Sequence, residues 1–583
     1  MGFEYSREQK EAIFSSGENI IVSAGAGSGK TAVLTERIKR ILNEGTKANQ
    51  LLVLTFTNAA ASEMKERIVK KMLQDENLKN RISEVDNAYI TTFDSFSLAI
   101  VKKYHIKMNL SANVSIVDDC LLNVKKNEIL DNIFNEYYSI NDINFNRLIK
   151  ELTNKNDTTL KEEILKIASK IDLKTNRDEF LNSYLTNYFN DDYYNKIYNE
   201  YMDLLYEKLD FIKENLVLIK NLDEDKFLKI YTKLQELLDS KSYEMISANC
   251  NIQFPILKNL EENIKTLKDT IKDTLDELKE LCIYKDSKQI KECYFYSCDY
   301  VLILIDILKK YFKQIDEYKL KYEMFEFIDI SKMAIKVVRD NKSIQNELKN
   351  TFKEILVDEY QDTNDIQEEF ISYISNNNVY MVGDVKQSIY GFRNANPLIF
   401  KEKYDLYSKH INGKKIDLNN NFRSNRVVLK TINDIFDHIM DDAIGNANFK
   451  ESHRMHFGLL DYEKKSNENK ITFIQYLKNK DLYKSKDVDM FYVAKDILYK
   501  INNKEQVYDK DSKEFRDCTY KDFAILMSDS SLFDSLEKLL SYNHIPCLVF
   551  KNVEVGSGEI IILLKNIVNL IVLDYSKIYD ESF

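Results

Sequence analysis

The chain has 583 residues, 44% of them hydrophobic and 30% charged, and a net charge of −11. At roughly 150 residues per domain, that length predicts about four domains, and the composition excludes collagen-like, disordered and disulfide-scaffold classes. An acidic balance argues against a protein that simply coats DNA but leaves room for a basic groove on an acidic body, because local fields steer ligands. Glycine (13) and proline (3) are scarce, which disfavours tight-turn all-β folds and favours long helices. The seven cysteines are irregularly spaced, and the closest pair, Cys293 and Cys298, lacks metal-site companions. They read as reduced, buried thiols. The best apolar run, Ile560 to Leu573, is too short for a membrane span and contains Lys565, Asn566 and Asn569. With no visible signal peptide, the expectation is a cytoplasmic protein without a membrane partner.

In chain order, Asn19-Ile20-Ile21-Val22 reads as a buried strand, followed by a glycine-rich loop and a helix from Ala32 to Ile41. Leu51 to Leu54 reads as a second strand. No glycine occurs between Gly45 and Gly383, and only Pro255 interrupts that stretch, which predicts helices. From Leu257, apolar residues fall at Leu260, Ile264, Leu267, Ile271 and Leu278. This near-heptad spacing reads as helix-on-helix packing within one domain. Glu354 to Val357 and Val379 to Val382 are two more strands. Short β-rich runs alternating with helices predict a parallel α/β sheet. The expected organisation is an α/β domain over residues 1–104 and 346–415, an all-helical insertion over 105–345, and part of a second α/β domain over 416–583. The last segment includes strand-like runs at Thr519 to Leu526 and Ile545 to Phe550.

Ser23-Ala24-Gly25-Ala26-Gly27-Ser28-Gly29-Lys30-Thr31 stands after a strand and before a helix, the context of a phosphate-binding P-loop. Its backbone N–H groups can close around phosphates at a helix N-terminus. Lys30 would reach the β- and γ-phosphates and the Thr31 hydroxyl a Mg²⁺ ion, so ATP and Mg²⁺ are the expected ligands. Ala24 stands where the strict pattern has its first glycine. Leu356-Val357-Asp358-Glu359 ends a strand on two carboxylates; Asp358 suits the metal and Glu359 the attacking water. After the next strand, Gln387 is a neutral group able to sense a γ-phosphate. Tyr390, Phe392 and Arg393 interleave aromatics with a cation, which suits stacking on single-strand bases and equally suits ordinary core packing. Arg423 lies at the start of the third region, where an arginine from a second domain can stabilise a transferring phosphoryl group.

Together these residues resemble the superfamily 1 DNA helicases of the UvrD/Rep type. Tyr5 to Gln9 resembles the family's glutamine motif, which implies that Gln9 reads adenine. Thr55 to Met64 resembles motif Ia and Thr91 to Phe96 motif Ib, implying single-strand contacts at Phe56, Thr57, Asn58, Thr92 and Phe93. Asp358-Glu359-Tyr360-Gln361-Asp362 resembles motif II. Gly383 to Arg393 resembles motif III, with Phe392 where many members have tryptophan, and implies DNA contacts at Tyr390, Phe392 and Arg393. Phe422-Arg423 resembles motif IV, with Phe422 on adenine and Arg423 at the γ-phosphate. The resemblance implies RecA-like α/β domains. Within this group, Gly383 to Tyr390 and Asn396 to Phe400 are most similar to the AddA family, which belongs to the helicase/nucleases that process double-strand breaks. That likeness implies broken-end and single-stranded DNA as substrates and an AddB-type partner.

AddA-type chains are about twice this long by that resemblance. No match to the later helicase motifs or to the nuclease module is found before Phe583, so the expectation is an N-terminal half: a fragment, a truncated reading frame or one piece of a split protein. Other readings share these residues. One is a UvrD- or RecB-like helicase. Another is a module that holds ATP and binds DNA or a partner without turnover. A third is a P-loop enzyme that is not a helicase, against which the aromatic motifs speak.

Overall fold

A computed structural model describes residues 5–117, 119–153, 156–219, 225–253, 262–458, 472–475, 485–509, 512, 514–527, 530–550, 563–564 and 567–568. The chain divides into one unit over residues 1–469 and a second over 470–583. In the first unit the strands are β1 (Ile20–Ala24), β2 (Leu51–Thr55), β3 (Tyr89–Thr92), β4 (Ser115–Ile116), β5 (Met324–Phe325), β6 (Glu354–Val357), β7 (Val379–Gly383), β8 (Lys414–Leu418), β9 (Asn420–Asn421) and β10 (His456–Phe457). Six of them form a sheet in the order β3-β2-β6-β7-β1-β8, and every pairing is parallel.

The continuous apolar runs follow from cover on both faces. Side chains alternate along a strand, so Ile21, Leu52, Leu54, Ile355, Val357 and Met381 enter one core. Ile20, Val22, Leu51, Val53, Leu356, Val382 and Ile416 enter the other. Helices α1 (Arg7–Phe14), α2 (Lys30–Asn43) and α3 (Asn58–Leu73) bring Ala12, Ile13, Val33, Leu34, Met64 and Ile68 to the second core. Helix α4 (Phe93–Lys103) and the helices Phe327–Asp340, Asp365–Ile374 and Pro397–Ser408 cover the first. Since all six strands are parallel, their C-terminal ends open on one edge, where α/β sheets bind ligands.

Packing moves the expected boundaries. β4 pairs with β5, so the chain leaves the sheet domain and returns to it at one place. Ile330, Ala334 and Val338 on the helix Phe327–Asp340 share a core with Phe96 and Ile100 of α4. That helix therefore belongs to the sheet layer and not to an insertion ending at 345. Helical periodicity marks an apolar face without saying which core receives it. Likewise β8 pairs with β1 from Lys414 to Leu418, so the first sheet runs through the 415/416 boundary.

Between β4 and β5 the described residues are helical, around two cores. One joins Ile133, Phe134, Phe145, Leu148 and Ile164 to Ile307, Leu308, Tyr311 and Phe312 of the long helix Ser287–Tyr322. The other joins Leu205, Leu209 and Ile212 to Ile271, Leu275 and Leu278. The near-heptad spacing thus serves packing within the insertion; Leu257 and Leu260 lie outside the described residues.

In the second unit, Met490, Ala494 and Ile497 pack on Leu536, Leu540 and Ile545, and β11 (Gln506–Asp509) pairs antiparallel with β12 (Glu514–Asp517). The strands expected at Thr519 to Leu526 and Ile545 to Phe550 do not form. Tyr520–Asp522 is a single 3-10 turn, the residues after it join no ladder, and Leu526 is 95% exposed. Strand propensity names no neighbour, and a strand exists only by pairing. Among the described residues, no helix is long and apolar enough to cross a membrane, and the six described cysteines are free thiols.

Candidate nucleotide and nucleic-acid site

The P-loop turns from β1, the strand between β7 and β8, into α2. Gly27 and Gly29 take φ of 75° and 88°, the left-handed region that glycine enters at no steric cost. Gly29 begins α2 without a side-chain cap. Space also demands glycine here. A Cβ on Gly27 would stand 2.7 Å from the Arg423 Cβ, and one on Gly25 would run into the Met455 sulfur. Gln9 is 1% exposed; its Nε2 donates to the Ser28 carbonyl at 2.9 Å, and its Oε1 accepts the Ser6 N–H at 2.9 Å. The residue expected to read adenine therefore braces the P-loop from behind.

Lys30 Nζ lies 2.7 Å from Glu359 Oε2. Glu359 adopts a left-handed φ of 49° just past β6, a conformation that costs a non-glycine residue about 1 kcal/mol or more and turns its side chain toward the P-loop. Asp358 Oδ1 accepts the Glu359 N–H at 3.1 Å. Burial first, and the neighbouring Glu359 charge second, raise the Asp358 carboxyl to about 6. The same two causes raise Asp362 to about 6. After β7, Asp384 accepts Gln387 Nε2 and Lys386 Nζ, each at 2.7 Å.

The residues expected at the γ-phosphate from the third region are already beside the P-loop. Asn421 on β9 donates to the Ala26 carbonyl at 2.7 Å, and the Phe422 N–H donates to the Gly27 carbonyl at 2.8 Å. Asn421 Oδ1 in turn accepts the Arg423 and Ser424 N–H groups at 2.8 and 2.7 Å. The Phe422 ring leaves no room for a side chain at Gly458.

Of the residues expected to meet DNA, four form one group. The Phe56 and Tyr390 rings are 4.8 Å apart and Tyr390 and Phe392 5.8 Å, while the Arg393 guanidinium lies 5.6 to 5.8 Å from all three ring centres. Thr57 and Asn58 are exposed at the start of α3, where Thr57 caps the helix by accepting the Ala60 N–H. Thr92 and Phe93 are buried. Thr92 caps α4, accepting the Ser95 N–H at 3.3 Å, and Phe93 packs in the first core, so neither stands on an open surface. Both nonetheless line a cavity of about 260 Å³ that also borders Phe56, Arg393, Asp358 and Glu359.

Sequence reasoning missed Gln361, Asp384 and Asn421 as parts of the site. Each sits beside a residue it did single out, but a neutral amide or a third carboxylate carries no spacing signal of its own.

The chemistry of these residues fits a triphosphate with a hard divalent ion. The Ser28 hydroxyl is buried without a hydrogen-bond partner. The uncapped start of α2 is an anion site by its dipole and its N–H groups. The Thr31 hydroxyl and the Asp358 carboxylate are the oxygen donors that magnesium prefers.

A P-loop on a parallel sheet, facing paired carboxylates, defines a nucleotide-binding α/β protein of the motor type. The chain belongs to the UvrD/REP helicase family, whose N-terminal domain profile matches residues 5–408. It is 31% identical to the ATP-dependent helicase/nuclease subunit of the AddA type from Staphylococcus haemolyticus, over 93% of this chain and 48% of that protein. With the protein of the same name from Ligilactobacillus salivarius it shares 30% identity, covering 90% and 47%. With that from Clostridium kluyveri it shares 29%, covering 100% and 52%. The chain spans about half the length of the curated relatives it matches. The AddA-type resemblance read from the motifs is borne out.

Proposed function

We propose that this chain is an ATP-driven motor that steps along single-stranded DNA, the helicase portion of an AddA-type helicase/nuclease acting in double-strand break repair. The observation that carries this reading is the shared cavity: Asp358 and Glu359 border the same space as Phe56 and Arg393. A base that displaces Phe56 or Arg393 is thereby felt beside the catalytic carboxylates. The P-loop N–H groups and Lys30 hold the phosphates. Mg²⁺, held by Thr31 and Asp358, would neutralise charge on the phosphate oxygens. Glu359 orients the attacking water and accepts its proton. Arg423, carried on the segment that Asn421 ties to the P-loop, meets the charge that develops on the γ-phosphoryl group. Gln387 senses whether that group is present. Tyr390 and Phe392 stack on bases, with Arg393 adding its charge. An AddB-type partner and DNA ends as substrate come with the AddA-type reading.

The test is ATP hydrolysis by the purified chain, with and without oligothymidylate, beside Lys30→Ala. DNA-stimulated turnover that the substitution abolishes supports the motor. Turnover unchanged by Lys30→Ala removes the site assignment. Nucleotide binding without turnover marks instead a module that holds ATP while binding DNA.

A further inference from the structure

Gln361 is 2% exposed, and its side-chain amide stands where three loops meet. Nε2 donates to Glu359 Oε2 at 3.0 Å and to Asp362 Oδ2 at 3.1 Å. Oε1 accepts the Asp384 N–H at 2.9 Å. The amide can face only one way: reversed, its oxygen would oppose two carboxylates and its NH₂ would oppose an N–H. The surroundings are shaped to it. A Cβ on Gly383, at the end of β7, would stand 2.5 Å from Gln361 Oε1, so glycine there makes room for the amide. The Gln361 carbonyl also accepts the Ser388 hydroxyl at 3.1 Å. One hydrogen-bonded chain therefore runs from Glu359 through Gln361 and Asp384 to Gln387, on the loop that continues to Tyr390 and Phe392.

We infer that Gln361 is the positioning residue for Glu359 and couples that carboxylate to the DNA-contacting loop. The inference rests on the ATP-driven reading above. Glu359 Oε2 takes two donors, Lys30 Nζ at 2.7 Å and Gln361 Nε2 at 3.0 Å. The lysine is also the phosphate ligand. When it turns to the nucleotide, Gln361 still holds the carboxylate aimed at the water. The far end of the same amide grips the backbone of Asp384, so a shift of the loop on contact with a base pulls on the Glu359 carboxylate. A misplacement near 1 Å costs on the order of a hundredfold in rate, so a small movement suffices to make turnover depend on DNA.

The test uses Gln361→Met, which keeps the size of the side chain and removes its polarity, and Gln361→Glu, which stays polar and removes both donors. The expected result is ATP affinity within about threefold of the parent and kcat lower by about tenfold or more. The ratio of turnover with oligothymidylate to turnover without it should fall toward unity. A purely structural role would not move that ratio at constant affinity. Equal kcat and an unchanged ratio, with parent and Lys30→Ala behaving as proposed, overturn the role of Gln361 and leave the motor standing. A fall in nucleotide affinity that matches the fall in turnover, or loss of folding in both variants by thermal melting, makes Gln361 structural and also overturns it. A parent chain without turnover removes both readings. If only Gln361→Met fails to fold, Gln361→Glu decides.

Discussion

The side-chain amide of Asn421 donates a 2.7 Å hydrogen bond to the carbonyl of Ala26, 395 residues earlier in the chain. Its oxygen caps the Arg423 N–H at 2.8 Å. One side chain thus fixes the distance between the phosphate loop and the arginine expected at the γ-phosphate. The arrangement needs a bare backbone at Gly27, whose Cβ would meet both Asn421 and Arg423.

Asn421→Ala should therefore act on turnover more than on binding. We expect kcat to fall by roughly tenfold through misplacement of Arg423, with ATP affinity changed little. Gly27→Ala should do the opposite: a side chain at φ 75° adds about 1–3 kcal/mol of strain and closes the cradle, so nucleotide binding is lost. Titration with a fluorescent ATP analogue and steady-state kinetics separate the two. Equal behaviour of the two variants would contradict the geometry.

Phe392 is 77% exposed yet lies 5.8 Å from Tyr390 and from the Arg393 guanidinium. Phe392→Ala should weaken single-stranded DNA binding by about 1–3 kcal/mol, the usual worth of one base stacked on an aromatic ring. Its stability should change by less than about 0.5 kcal/mol, as at most exposed sites. Fluorescence anisotropy with a labelled oligonucleotide measures the first and thermal melting the second. Undiminished affinity would place the DNA elsewhere.

Arg37 is fully buried, at 0% exposure. Its Nε donates to Glu354 Oε2 at 3.0 Å, Nη2 pairs with Glu354 Oε1, and Nη1 donates to the Ala12 carbonyl at 2.8 Å. The guanidinium also lies 4.0 Å from the centre of the Tyr380 ring. One residue thus joins α1, β6 and β7. Arg37→Ala should destabilise the first unit by about 3–5 kcal/mol, because it leaves a partly buried carboxylate without its partner. Replacing both Arg37 and Glu354 by apolar residues of similar size should cost much less. Denaturant melts of the single and double variants test this; a single variant as stable as the parent would refute it.

His453 is buried against the Tyr404 ring, 5.3 Å between centres, with Lys386 Nζ 3.4 Å from its Nδ1. Burial first, then the Lys386 charge, lowers its pKa to about 4. A histidine with a depressed folded pKa stabilises fully above its ordinary value near 6.5, and that contribution is lost as pH falls toward about 4. The loss amounts to about 3 kcal/mol when complete. His453→Phe should therefore melt with a shallower acid dependence than the parent between about pH 6.5 and pH 4. Parallel curves would show that the imidazole does not titrate in that range.

The nucleotide half of the site was legible because its signals are local. Three glycines after a buried strand, then lysine and threonine opening a helix, prescribe backbone angles and an anion site within a few residues. Asp358 and Glu359 were legible for the same reason, at the end of a strand whose apolar run marks it as central. The helical insertion showed in the absence of glycine, though not its limits: the helix Phe327–Asp340 carries an apolar face like its neighbours, and only contact with Phe96 and Ile100 assigns it to the sheet. The strand-like runs at Thr519 to Leu526 and Ile545 to Phe550 misled because propensity cannot supply a pairing partner.

What the sequence determined by itself was the phosphate loop, the paired carboxylates, the parallel sheet and the family. The tertiary structure alone decided that Phe93 turns inward, that Gln9 braces the P-loop, that Asn421 reaches Ala26 and that Gln361 bridges Glu359 to Asp384. Local pattern prescribes backbone shape and which positions avoid water. The partner of a buried amide or carboxylate, by contrast, is set by desolvation: a polar group withdrawn from water must be paired, and the chain can bring that partner from hundreds of residues away.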